Sequence, residues 1–204
     1  MEEKDVYAEL SSIRNLMERS TKFISLSGLS GVLAGVYALV GAILAYLLIH
    51  DYPGNDPYAF LQDADVVWKL CVIATIVLIL SILTACWLTM RNARHKQAQV
   101  WNPVSKRLLT AMAIPLFTGG FVILIMLAKQ EYALIASACL IFYGLSLAAA
   151  SVYTYNEVKW LGICEVLLGL IALIIPEQGL ILWTLGFSLL HLLYGGIMYY
   201  KYDR

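Results

Sequence analysis

Charge is scarce in this chain and almost missing from its apolar stretches. Of 28 Asp, Glu, Lys and Arg residues in 204, only Lys69 and Glu165 fall inside the long hydrophobic runs. A soluble domain is about a quarter charged and about half apolar; here 14% of residues are charged and 61% are hydrophobic, with a mean hydropathy of +0.76. That excess of apolar surface excludes an ordinary soluble domain. The period-2 alternation of barrel strands is also missing, which excludes a transmembrane β-barrel. Four cysteines (Cys71, Cys86, Cys139 and Cys164) show no CxxC spacing and all lie in apolar runs; they read as small hydrophobes rather than disulfide or metal residues. The chain contains no HExxH, no nucleophile elbow, no phosphate-cradling glycine loop and no paired intramembrane aspartates, so it does not read as an enzyme. Two histidine ligands for haem are poorly served, because His50 and His191 belong to opposite faces.

What is present is a set of runs long enough to cross a bilayer. Roughly 20 mostly apolar residues span a hydrocarbon core of about 30 Å, and six segments meet or approach this: 23–49, 66–90, 108–128, 132–153, 160–176 and 179–199. The expected fold class is an all-α membrane protein, a single six-helix transmembrane domain over residues 23–204, preceded by an amphipathic cytoplasmic helix over 1–22. Val6, Leu10, Ile13 and Met17 form the apolar stripe of that leading helix at 4-3-4 spacing. The stretch lacks the basic region of a cleavable signal peptide, so the first span is expected to direct insertion itself.

Orientation follows from the basic residues. Placing residue 1 in the cytoplasm leaves 12 Lys and Arg on the cytoplasmic side and Lys129 alone on the other. Positive residues resist translocation, so both termini are expected inside, in a plasma (inner) membrane of bacterial style. The basic stretch Arg91 to Arg107 is thereby explained by topology, and too little else accompanies it to suggest nucleic-acid binding. The outer loop from His50 to Asp65 gathers four aspartates. Its Pro53-Gly54 and Asp56-Pro57 pairs read as turns rather than as a cation site, and Asp65 stands four residues before Lys69, suited to an ion pair at the helix mouth. No metal and no cofactor are expected.

Two features remain for function. Ser27, Gly31 and Gly35 recur at spacing four in the first span, with Ala34, Ala38 and Ala42 beside them; small residues let backbones approach where lipid supplies no hydrophobic drive. They would serve helix packing, within the chain or in a homodimer or membrane complex. The second is Glu165, in the run WLGICEVLLGL. An isolated carboxylate in lipid costs about 2.5–3.5 kcal/mol on insertion scales. By depth its counterpart is His191 in the antiparallel neighbouring helix, with Ser188 and Thr184 expected as hydrogen-bonding neighbours on a shared face, and Gly162 and Gly169 leaving room beside the acid. Burial disfavours the carboxylate anion and a neighbouring imidazolium favours it, so the pair reads either as a proton-responsive site or as a buried hydrogen bond that fixes helix register. A weak echo also joins Phe142-Tyr143-Gly144 to Leu193-Tyr194-Gly195. The reading is a small transporter or sensor of an ion or small molecule, with a polar site between the fifth and sixth helices. The alternative is a non-catalytic membrane subunit or scaffold, associating through the first helix and the N-terminal segment.

Overall fold

The computed structural model describes residues 27–53, 59–95 and 100–203. The apolar stripe of 1–22 lies outside the described residues, as do 23–26 of the first span, 54–58 of the outer loop and 96–99 of the cytoplasmic loop. The described residues are almost entirely helical and include no strand. We number its long helices α1 (Gly28–His50), α2 (Ala64–His95), α3 (Pro103–Ala128), α4 (Ile135–Ala150), α5 (Asn156–Ile174) and α6, residues 179–203. Five stretches are long and apolar enough to cross a membrane: α1, α2, α3, residues 132–153 around α4, and residues 176–202 of α6 with the turn before it. This is a multi-pass α-helical membrane protein. Helix α5 differs only in carrying Glu157, Lys159 and Glu165 within its 19 residues.

Local chemistry accounts for the helix boundaries. Asn102 accepts from the Ser105 amide at 2.8 Å while Ser105 Oγ accepts from the Asn102 amide at 2.9 Å, and Pro103 follows as the first helical residue. A capping box with proline at N1 starts a helix well, so the Asn102-Pro103 pair begins α3 as well as interrupting what precedes it. At α2 the cap is Asp63, whose Oδ1 accepts from the amides of Asp65 (2.9 Å) and Val66 (3.4 Å). One of the loop carboxylates is therefore a helix cap. Asp65 and Lys69 form their ion pair at 2.6 Å, both exposed. Pro115 lies within α3, which continues through it.

The helices are not arranged in chain order. Helix α1 lies between α2 and α6, α6 meets α5 and α4, and α4 pairs closely with α5 and with α3. Glycine backbones make the tight crossings. A Cβ at Gly28 or Gly195 would collide with the facing backbone, and one at Gly35 would stand 2.9 Å from the Ser188 carbonyl oxygen. Across α4 and α5, a Cβ at Gly144 would lie 2.6 Å from the Gly162 oxygen, and one at Gly162 would lie 2.7 Å from the Gly144 oxygen. The two halves of the sequence echo thus share a use: Gly144 seats α4 on α5, and Gly195 seats α6 on α1. Helices α2 and α3 occupy the flanks and expose long apolar faces, among them Leu78, Leu83, Phe117 and Phe121, which lipid covers in a membrane protein.

Helix α6 departs from simple expectation. It is α-helical over Gly179–Thr184 and His191–Met198, but widens into π-helical turns over Leu185–Leu190 and Tyr199–Asp203. A π turn hydrogen-bonds i to i+5 and so accommodates one residue more than an α turn.

Candidate functional site

Three helices bring one polar side chain each to the centre of the bundle. Glu165 of α5 is completely enclosed and His191 of α6 is 5% exposed. His191 Nδ1 lies 3.4 Å from Glu165 Oε1 and 3.1 Å from the carbonyl oxygen of Gly186. Its other ring nitrogen, Nε2, lies 2.9 Å from the hydroxyl of Tyr143 of α4. The protons can be assigned from chemistry. A carbonyl only accepts, so Nδ1 carries a hydrogen and donates it to Gly186; in the neutral ring Nε2 then accepts from the Tyr143 hydroxyl. If the ring gains a proton, the tyrosine hydroxyl rotates and accepts instead. His191 therefore keeps both hydrogen bonds in either charge state.

The carboxyl is the poorly satisfied member. Neither Glu165 Oε1 nor Oε2 has a hydrogen-bond partner among the described residues, and the Ser137 hydroxyl is likewise buried and unpaired. A buried carboxylate with no donor and no charge partner is far costlier than a neutral acid. Two arrangements with the same number of protons avoid that cost: a carboxylic acid beside neutral imidazole, or a carboxylate beside imidazolium. The titratable groups facing Glu165 are His191 of α6 and, through the imidazole, Tyr143 of α4; an aromatic wall of Tyr143, Phe187 and His191 has ring centroids 5.0–5.9 Å apart.

The π turn positions these groups. It places Gly186 directly against the acid, where a Cβ would come within 2.5 Å of Glu165 Oε2 and equally close to Leu140 Cδ2. It also sets His191 five residues beyond Gly186, so that the side-chain hydrogen bond returns to the start of the turn. Nothing in the sequence pattern announces this extra residue, and it upsets a stripe counted at α-helical spacing. Thr184 and Ser188 make no hydrogen bond to the acid. The Thr184 hydroxyl donates to the Leu180 carbonyl one turn back at 2.7 Å. Ser188 is buried, its carbonyl lies against Gly35 of α1 and accepts from the His191 amide, and it makes no hydrogen bond to the Glu165 carboxyl. Gly162 and Gly169, expected to leave space by the acid, have that space filled by α4 through Gly144 and Ile141.

No known protein family, characterised protein or solved structure matches this chain. Its chemistry rests on the geometry alone. Tyr143 is the member that counting along the fifth and sixth helices overlooked. The one available signal was its place in the Phe142-Tyr143-Gly144 echo, since a polar aromatic beside a packing glycine faces the interior. Of the remaining residues expected to matter, Ser27 immediately precedes α1 without a side-chain capping bond, and its carbonyl accepts from the Ser30 hydroxyl at 2.6 Å. Gly31 and Gly35 turn toward Gly195, Tyr194 and Leu192 of α6.

Proposed function

We propose that this protein is a proton-responsive membrane transporter or sensor, whose switch is the Glu165–His191 pair held by Tyr143. One observation carries the reading: a carboxyl sealed from solvent, with neither oxygen hydrogen-bonded, 3.4 Å from an imidazole nitrogen. Ionisable residues at such depth are rare and commonly mark proton relays or substrate pathways. The tight contacts at Gly186, Gly144 and Gly169 leave little space for a larger ligand. A proton needs none. Its arrival or departure changes the charge of the pair, and that change acts on α4, α5 and α6 together.

We place α5 across the membrane with the other five helices, giving six spans with both termini in the cytoplasm. Its 19 residues extend about 28 Å at 1.5 Å per residue, and it packs along α4 for much of that length. Two of its charges, Glu157 and Lys159, lie at the entry end, before the apolar run. The 12-to-1 bias of basic residues sets the orientation. The scaffold alternative draws less support, because Gly28, Gly31 and Gly35 already face α6 of the same chain.

Infrared difference spectroscopy on the protein in lipid vesicles tests the reading. A protonated-carboxyl stretch that changes with pH and vanishes in Glu165→Gln is expected. The proposal fails if the Glu165→Gln, His191→Gln double variant leaves every pH-dependent signal, including proton flux under an imposed gradient, as it was.

A further inference from the structure

A second site stands apart from the buried pair, at the end of α2. Ile76, Leu80, Leu83, Trp87, Met90 and Arg94 follow one another at spacings of three and four, which lays them along a single face. The five apolar members of this row are exposed, and Arg94 is exposed as well. Among the described residues no helix covers the row. Where the apolar run ends, Trp87, Met90, Arg91 and Arg94 line a hollow of about 430 Å³, within the range of about 300–1,000 Å³ usual for small-ligand pockets. The Arg91 guanidinium stands 5.9 Å from the centre of the Trp87 ring. Among the described residues neither Arg91 nor Arg94 forms an ion pair.

The geometry points to an anionic phospholipid as the occupant: its phosphate between the guanidiniums of Arg91 and Arg94, its glycerol edge against Trp87, and one acyl chain along Leu83, Leu80 and Ile76. Each part of the surface matches one part of such a molecule. Guanidinium forks favour phosphate geometry. An indole suits the boundary between headgroup and hydrocarbon. A free phosphate would use the arginines alone, whereas a phospholipid reaches both the arginines and the lipid-facing row that continues from them. The inclination of basic residues to face the cytoplasm explains why arginines lie at this end; it does not explain why two of them, without ion-pair partners among the described residues, line one hollow beside Trp87. The inference is independent of the Glu165–His191 reading, and either can fail without the other.

The full chain, purified in a neutral detergent, would be titrated with phosphatidylglycerol and with phosphatidylcholine, reading thermal stability and the lipids retained in native mass spectrometry. Phosphatidylglycerol is expected to bind more tightly and to raise the Tm further. In Arg91→Gln, Arg94→Gln the apparent phosphatidylglycerol affinity should fall roughly 30-fold, about fivefold for each arginine, while the response to phosphatidylcholine stays the same. Should that variant fail to insert, Arg91→Lys, Arg94→Lys retains the charge and the topology but loses the forks, and a clear loss of affinity is still expected. A control variant, Lys106→Gln with Arg107→Gln, removes as much charge elsewhere on the same side. Equal response to the two lipids, equal loss in the control, or full substitution by inorganic phosphate would each overturn the proposal.

Discussion

Glu165 shows how much a single atom contact can decide. Removing its charge by Glu165→Gln leaves the size nearly unchanged, so a change in stability reports on the carboxyl itself. A double-mutant cycle with His191→Gln isolates the pair. Couplings between polar side chains inside membrane proteins average about 0.6 kcal/mol and reach about 1.7, and a value in that range is expected here from melting of the protein in detergent. Tyr143→Phe deletes only the hydroxyl that meets Nε2 at 2.9 Å. It should cost about 1 kcal/mol, the net worth of a typical hydrogen bond, and should alter the pH dependence of the Glu165 carboxyl band. Gly186→Ala is a sharper probe, since it removes no polar group. The added methyl would meet Glu165 Oε2 and Leu140 Cδ2, each at 2.5 Å, and overpacking of this kind costs about 1–3 kcal/mol.

Among the elements, α6 holds the most information. Its middle, His191–Met198, lies between two π turns and rests on the glycine face of α1. Deleting Leu189, an exposed residue of the first π turn, should let that turn close to α-helical hydrogen bonding while its flanks keep their facing partners. The expected result is a chain that still inserts and melts cooperatively but whose Glu165 band no longer responds to pH as before. Preservation of the response would show that the π turn is not what positions His191. The α1–α6 crossing calls for a different test. Gly195→Leu places a side chain where the Val32 amide and the Gly28 carbonyl already stand, and a loss of at least about 3 kcal/mol, at the upper end for overpacking, should appear in thermal unfolding.

Across the whole molecule, one clasp joins the start of α5 to the end of α6. Lys201 Nζ lies 2.5 Å from Glu157 Oε1, and the Tyr202 hydroxyl donates to the same oxygen at 3.0 Å. Glu157 precedes the apolar run that begins at Trp160. Partial burial pushes its carboxyl up, but hydrogen bonds from Lys201, its own backbone and Tyr202 outweigh this and hold it below the usual carboxylate range. A folded value below the unfolded one means the unfolded chain takes up protons first as the medium is acidified. The clasp therefore contributes fully above the ordinary glutamate value near pH 4.3 and fades as pH falls through the depressed one. Melting temperature should drop over that acidic window in the wild type and drop less in Glu157→Gln. Orientation is testable at this scale too: reporters fused after residue 204 should read as cytoplasmic, and one inserted between Lys129 and Glu131 should not.

The sequence by itself determined that this chain lives in a membrane, where its apolar runs lie and which of its few charges demand explanation. Those conclusions depend on composition and run length, which are properties of a segment alone. Lys69 and Asp65 met as their i,i+4 spacing requires, because both belong to one helix. The meeting of Glu165 with His191 could be anticipated from depth in two helices joined by a short loop. Tertiary structure decided what spacing cannot express. It widened α6 into a π turn between Thr184 and His191, and it left the acid with no hydrogen bond from Thr184 or Ser188. It filled the space beside Gly162 and Gly169 with α4, since small residues record that something comes close but not which helix does. It also brought Tyr143, 48 residues from His191 along the chain, to the third corner of the site. Contacts between helices distant in sequence leave no periodic mark, and here they enclose Glu165 and His191.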